Sequence, residues 1–142
     1  MAALPHLSRP NKRSETTNPI QERLLFGSSA LDTALPEGIP RGAVTEFCSP
    51  LGLNHATRLL LGMVRHEQQQ HREQERWCAW IDPSGSLYAP GLMQMGIVLP
   101  RLLIVQPDAK QLERVAIRVT TSHAFGLVVI DRVAAPGCVP PQ

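Results

Sequence analysis

The chain has 142 residues, 43% of them hydrophobic, and a formal net charge of +2. That length and apolar content suffice for one domain with a real core, whereas so small a charge, with no face saturated in Lys or Arg, does not mark a nucleic-acid binder. No apolar run of about 18 residues and no signal peptide is present, so a cytoplasmic chain with no membrane partner is expected.

Residues 1–20 mix Pro, Ser, Thr, Asn and charges without periodicity and read as a flexible leader. Residues 21–142 read as a single domain. It opens with QERLLFG as a short helical turn. SSALDTAL follows as a capped helix, with Ser28 or Ser29 ahead of the apolar positions Ala30, Leu31, Ala34 and Leu35. Gly38, Pro40 and Gly42 punctuate a turn into the strand GAVTEFC, Gly42–Cys48.

The next stretch, SPLGLNHATR, stands where a phosphate-binding loop belongs, between that strand and the helix ATRLLLGMV, Ala56–Val64. A working loop wraps glycines around the phosphates and supplies a Lys and a Ser or Thr as the helix begins. Here Ser49 stands at the first glycine, Asn54 at the second, His55 at the lysine and Ala56 at the hydroxyl residue. Asn tolerates a left-handed backbone and a protonated His carries some charge, but Ala56 offers no oxygen to Mg²⁺. Loss of one preorganised polar group costs about 3–4 kcal/mol of transition-state stabilisation, so no catalysis and no bound cofactor or metal are expected.

The tract HEQQQHREQER extends the helix as a solvated end. RWCAWID, Arg76–Asp82, is a strand buried on both faces. Its Trp77 and Trp80 point to opposite sides, which favours core packing of at least one over base stacking by both. LYAPGLMQMG is a short helix ending at Gly96. RLLIVQP, Arg101–Pro107, is the next strand. DAKQLERVAIRVTTS is a helix capped by Asp108, with Leu112, Val115, Ala116 and Val119 on one side. FGLVVID closes the series. Strands alternating with helices imply an α/β fold, a parallel sheet of about four to five strands flanked by helices.

Cys48, Cys78 and Cys138 form no CxxC pair, and with Cys48 and Cys78 in strands they read as small buried thiols. His66 and His71, five apart, fall on different helix faces, which argues against metal binding there.

The ordered segments SSALDTALPEGIPRGAVTEFCSP, WCAWID, LLIVQPDAKQLE and LVVIDRVAA resemble the ATPase core of RecA-type recombinases, from Phe26 to Ala135. Within that fold, YAPGLMQMGI…RLLIVQP is similar to the pattern of the ImuA family, which belongs to bacterial damage-induced mutagenesis cassettes. The resemblance implies a RecA-like (P-loop NTPase type) domain, truncated relative to the full RecA core. It implies a non-catalytic accessory protein of the SOS response and translesion DNA synthesis, with RecA and the polymerase-like ImuB as partners. An error-prone replicative-type polymerase is reached through ImuB, and direct DNA binding is weak or indirect. The family's catalytic Glu falls on Ser84, which is no carboxylate base, and its Walker B Asp falls on Asp131. The polymerisation element before the core has no counterpart in the Pro-rich leader. Arg41, Arg58, Arg65, Arg72 and Arg101 are the candidate docking residues.

Two other readings stand beside it. In a residual ATPase, His55 and Thr57 replace the Lys and hydroxyl, although one residue of helix turns the side chain by about 100°. In a division inhibitor of the SulA type, the same inactive fold binds a tubulin-like protein. A further expectation concerns the sheet: the Walker B strand either closes directly onto the first strand or leaves an edge open to strand addition.

Overall fold

The computed structural model of the chain describes residues 23–48, 55–70, 73 and 76–132. The expectations for the leader, for Ser49 to Asn54, for His71 and Arg72, and for Cys138 lie outside them.

Three parallel strands make the centre, in the order β4 (Leu102–Val105), β3 (Trp77–Ile81), β5 (Phe125–Ile130). β3 is the middle strand and therefore the best sealed, with Cys78, Ala79, Trp80 and Ile81 all at zero exposure. Its near-continuous apolar sequence is what burial on both faces demands. On one face, Cys78, Trp80, Leu102 and Val129 pack under Leu61 and Val64 of α2 (His55–Gln70) and Leu92 of α3 (Ala89–Gln94). On the other, α4 (Leu112–Thr121) lies over β5 and β3 with its stripe Leu112, Val115, Ala116 and Val119 half-buried. Right-handed crossovers from β3 to β4 and back past β3 to β5 put their connections on opposite faces. The helix-flanked parallel α/β fold expected from the sequence is thus present.

Several local expectations need correction. QERLLFG is no helical turn: Arg23–Leu24 forms β1, paired antiparallel with β2 (Ile39–Pro40) around α1 (Ser29–Ala34). The pairing brings Gly38 against the Leu24 carbonyl at φ +58, so close that a Cβ would collide with it. Ser28 is the N-cap residue of α1 but makes no side-chain cap bond. Asp32 instead reaches back to accept the Phe26 N–H at 2.8 Å. Gly42–Cys48 joins neither sheet despite its strand-like composition. Val44 is 98% exposed and Cys48, expected to be buried, is exposed as well. β propensity needs a neighbouring ladder to act on, and among the described residues this segment has none. α4 begins at Leu112 with Gln111 at its cap position, because Asp108 closes a turn through its backbone carbonyl and does not cap the helix.

The largest correction falls on the polar tract after Val64. Glu67 and Gln68 are completely buried. They continue the stripe of Leu60, Leu61 and Val64 at helical spacing and so face the sheet, not water. The Gln68 amide donates to the Val98 carbonyl at 3.1 Å and the Arg101 carbonyl at 3.4 Å, and accepts the Val98 N–H at 2.9 Å. Arg101 donates back to the Gln68 carbonyl at 3.1 Å. One amide thereby fixes the short 3-10 turn Leu99–Arg101 ahead of β4.

Candidate functional site

In a parallel α/β sheet, ligands are met at the carboxyl ends of the strands. Here the last ladder bonds, Asp82 N–H to the Val105 carbonyl at 2.8 Å and Asp131 N–H to the Ile81 carbonyl at 2.9 Å, carry two aspartates to that edge. Asp82 leaves β3 into the turn Pro83–Ser86. Its carboxylate accepts the Ser84 hydroxyl at 2.8 Å, the Ser86 hydroxyl at 3.3 Å and the Leu87 N–H at 3.0 Å. Burial acts to raise its pKa, but the bonds from Leu87, Ser84 and Ser86 outweigh that and hold it below the usual carboxylate value. Its zero exposure comes from being sealed by its own turn and not from depth in the core.

Asp131 ends β5 half-buried. Burial raises its pKa and the Asp82 charge raises it further. The buried Trp80 indole N–H points toward it and tempers the rise, without reaching full hydrogen-bond geometry. The two acids therefore differ: Asp82 is a satisfied acceptor within its turn with a lowered pKa, and Asp131 is half-buried with a raised one. Among the described residues, no group of three or more His, Cys, Asp or Glu side chains could hold a metal ion.

Ser84 has its hydroxyl committed to Asp82. His55 and Ala56 form the first turn of α2, His55 exposed and Ala56 half-buried, and Thr57 follows half-buried. The helix expected to follow the loop is thus present, with an imidazole and a methyl group at its start.

The described arginines among those singled out from the sequence have different partners. Arg41 is half-buried and pairs with Glu67, its Nη2 at 2.6 Å from Oε2 and its Nη1 at 3.1 Å from Oε1, while Nη1 also donates to the Gly126 carbonyl at 3.3 Å. Arg65 donates to the Gly27 carbonyl at 3.4 Å, and Arg101 binds the Gln68 carbonyl. Arg58 is exposed on α2. Glu67, which sequence reasoning assigned to solvent, organises more of this region than any of them. Its place on the apolar stripe of α2 was the available signal.

Trp80 is a core residue, whereas Trp77 is 45% exposed. Burial pushes the Cys78 thiol up to about 12, Glu67 adding to the rise and Arg101 and Arg41 opposing it, which leaves an unreactive buried thiol as expected.

This arrangement, a parallel α/β core with an aspartate closing its third parallel strand, defines a RecA-like domain. Residues 12–141 match the RecA N-terminal domain, and the chain belongs to that family. It is 34% identical over 116 residues to Protein RecA of Blastochloris viridis, covering 80% of this chain and 32% of that protein. Protein RecA of Paracoccus denitrificans is 34% identical over 122 residues, covering 83% and 33%. That of Bacillus subtilis (strain 168) is 32% identical over 126 residues, covering 87% and 35%. The chain spans about a third of the length of these relatives. Among the described residues no helix is long and apolar enough to cross a membrane.

Proposed function

We propose that this RecA-like domain is a non-catalytic accessory module of DNA-damage-induced mutagenesis, docking on RecA and on an ImuB-type polymerase homologue. The observation that supports a non-catalytic reading is the make-up of two segments, the start of α2 and the Asp82 turn. The positions that serve the phosphates and the metal hold His55 and Ala56, and the position of the base holds a serine hydroxyl already bonded to Asp82. Phosphoryl transfer depends on positioning and charge stabilisation, and both are depleted here. What remains is the fold, with a surface similar enough to RecA to engage the same kind of neighbour. The ordered YAPGLMQMGI and RLLIVQP segments support the mutagenesis branch.

The test is capture of purified RecA and of purified ImuB-type protein on the immobilised 142-residue chain, with a tubulin-like division protein as the contrasting bait. Retention of the first two supports the adaptor. Retention of the tubulin-like protein alone replaces it with the division-inhibitor reading. Asp131, half-exposed after β5, and Thr57 on α2 are the features that favour residual nucleotide binding.

A further inference from the structure

β1, α1 and β2 share no ladder with the main sheet. They rest on α2 through a small apolar cluster, Leu24 and Phe26 against Met63, and through the bond from Arg65 to the Gly27 carbonyl, and on α2 and β5 through the contacts of Arg41, which directly follows β2. The Arg41 guanidinium is held by both oxygens of the fully buried Glu67 and by the Gly126 carbonyl at the start of β5. Arg76 approaches the same carboxylate at 3.8 Å. Gly126 is required by this packing, because a Cβ there would lie 2.5 Å from Glu67 Oε1. Beyond Arg41 the chain runs exposed through Val44 and returns to the apolar cluster at Phe47.

We infer that β1–α1–β2 is a hinged flap latched to α2 by the Arg41–Glu67 pair, and that it opens as a unit while α2, β3, β4 and β5 stay folded. Opening uncovers Met63 and Glu67 of α2 and the Gly126 end of β5. A bidentate guanidinium–carboxylate pair suits a latch: it is directional, and removing one partner strands a buried charge, whereas replacing both with apolar groups is commonly neutral. The inference rests on these contacts and not on the functional reading above.

Native-state hydrogen exchange on the unmodified 142-residue chain tests it. The reporters are the flap amides of Phe26, Asp32, Leu35 and Gly38, and the sheet amides of Asp82 and Asp131, all hydrogen-bonded. The flap amides are expected to exchange at least about tenfold faster, through an opening that sub-denaturing urea barely promotes. Arg41→Met is expected to speed exchange of the flap amides about tenfold and, because the pair is broken in the open and in the unfolded state alike, of the sheet amides by the same factor, and Arg41→Met/Glu67→Met to restore most of both. A single exchange class in the unmodified chain overturns the inference. So does an Arg41→Met chain whose sheet amides exchange faster while its flap amides do not, since flap exchange would then leave the pair intact, or a folded Arg41→Met/Glu67→Met chain in which flap and sheet amides form one exchange class.

Discussion

The sheet and the flap are built from similar residues and reach different outcomes. In the sheet, β3 has a strand on each side and helices on both faces, and four of its five residues are fully buried. In the flap, α1 buries no residue, and Phe26, Leu35, Ile39 and Phe47 surround an open cleft of about 430 Å³. The difference teaches that apolar content alone does not make a core here. Position in the strand order does, because a central strand is covered by neighbours that an outlying one lacks. The flap compensates with polar contacts of high directionality, Asp32 to the Phe26 N–H within it and Arg41 to Glu67 beneath it.

Mutations should reproduce that ranking. Trp80→Ala removes the largest fully buried side chain and is expected to cost about 3–5 kcal/mol, enough to threaten folding of a domain of ordinary stability. Urea denaturation checks it, and a loss below about 1 kcal/mol would break the ranking. Gly126→Ala drives a methyl group against Glu67 at the junction of the two regions and should cost about 1–3 kcal/mol, read as a lowered midpoint at unchanged m-value. Asp32→Ala deletes the acceptor of the Phe26 N–H, a loss of about 1 kcal/mol. By hydrogen exchange the effect should stay within the flap.

The smallest effect concerns charge. Burial and the Asp82 carboxylate raise the pKa of Asp131, so the native state keeps this proton to a higher pH than the unfolded chain does. Stability therefore falls as pH rises from the ordinary aspartate value through the raised one. Asp131→Asn should stabilise the protein modestly at pH 7 and make no difference below that window, as thermal melts across pH would show. Asp82 has the opposite sign: its depressed pKa contributes stability above the ordinary value, lost as pH falls through the native one.

The sequence reveals the regular parts of this fold because they are local. β3, β4, β5 and α3 follow from apolar runs and their punctuation, and Trp80 is legible as core from its place in such a run. The segment Gly42–Cys48 reads as a strand from its composition, yet pairing depends on what lies beside it, and no local pattern reports that. Glu67 and Gln68 mislead for a related reason. Their composition says solvent, while their spacing from Leu60, Leu61 and Val64 places them on the inward stripe, and their partners Arg41, Val98 and Arg101 are distant in sequence. At the candidate site, the chemistry of His55, Ala56 and Ser84 is legible residue by residue. That Ser84 spends its hydroxyl on Asp82 required the geometry of the turn.

The most direct measurement is titration calorimetry of the 142-residue chain with ATP, with and without Mg²⁺. The account predicts no nucleotide heat under either condition. Tight, Mg²⁺-dependent binding that Asp131→Asn abolishes would contradict it, and would make His55, Thr57 and Asp131 a working variant of the phosphate site.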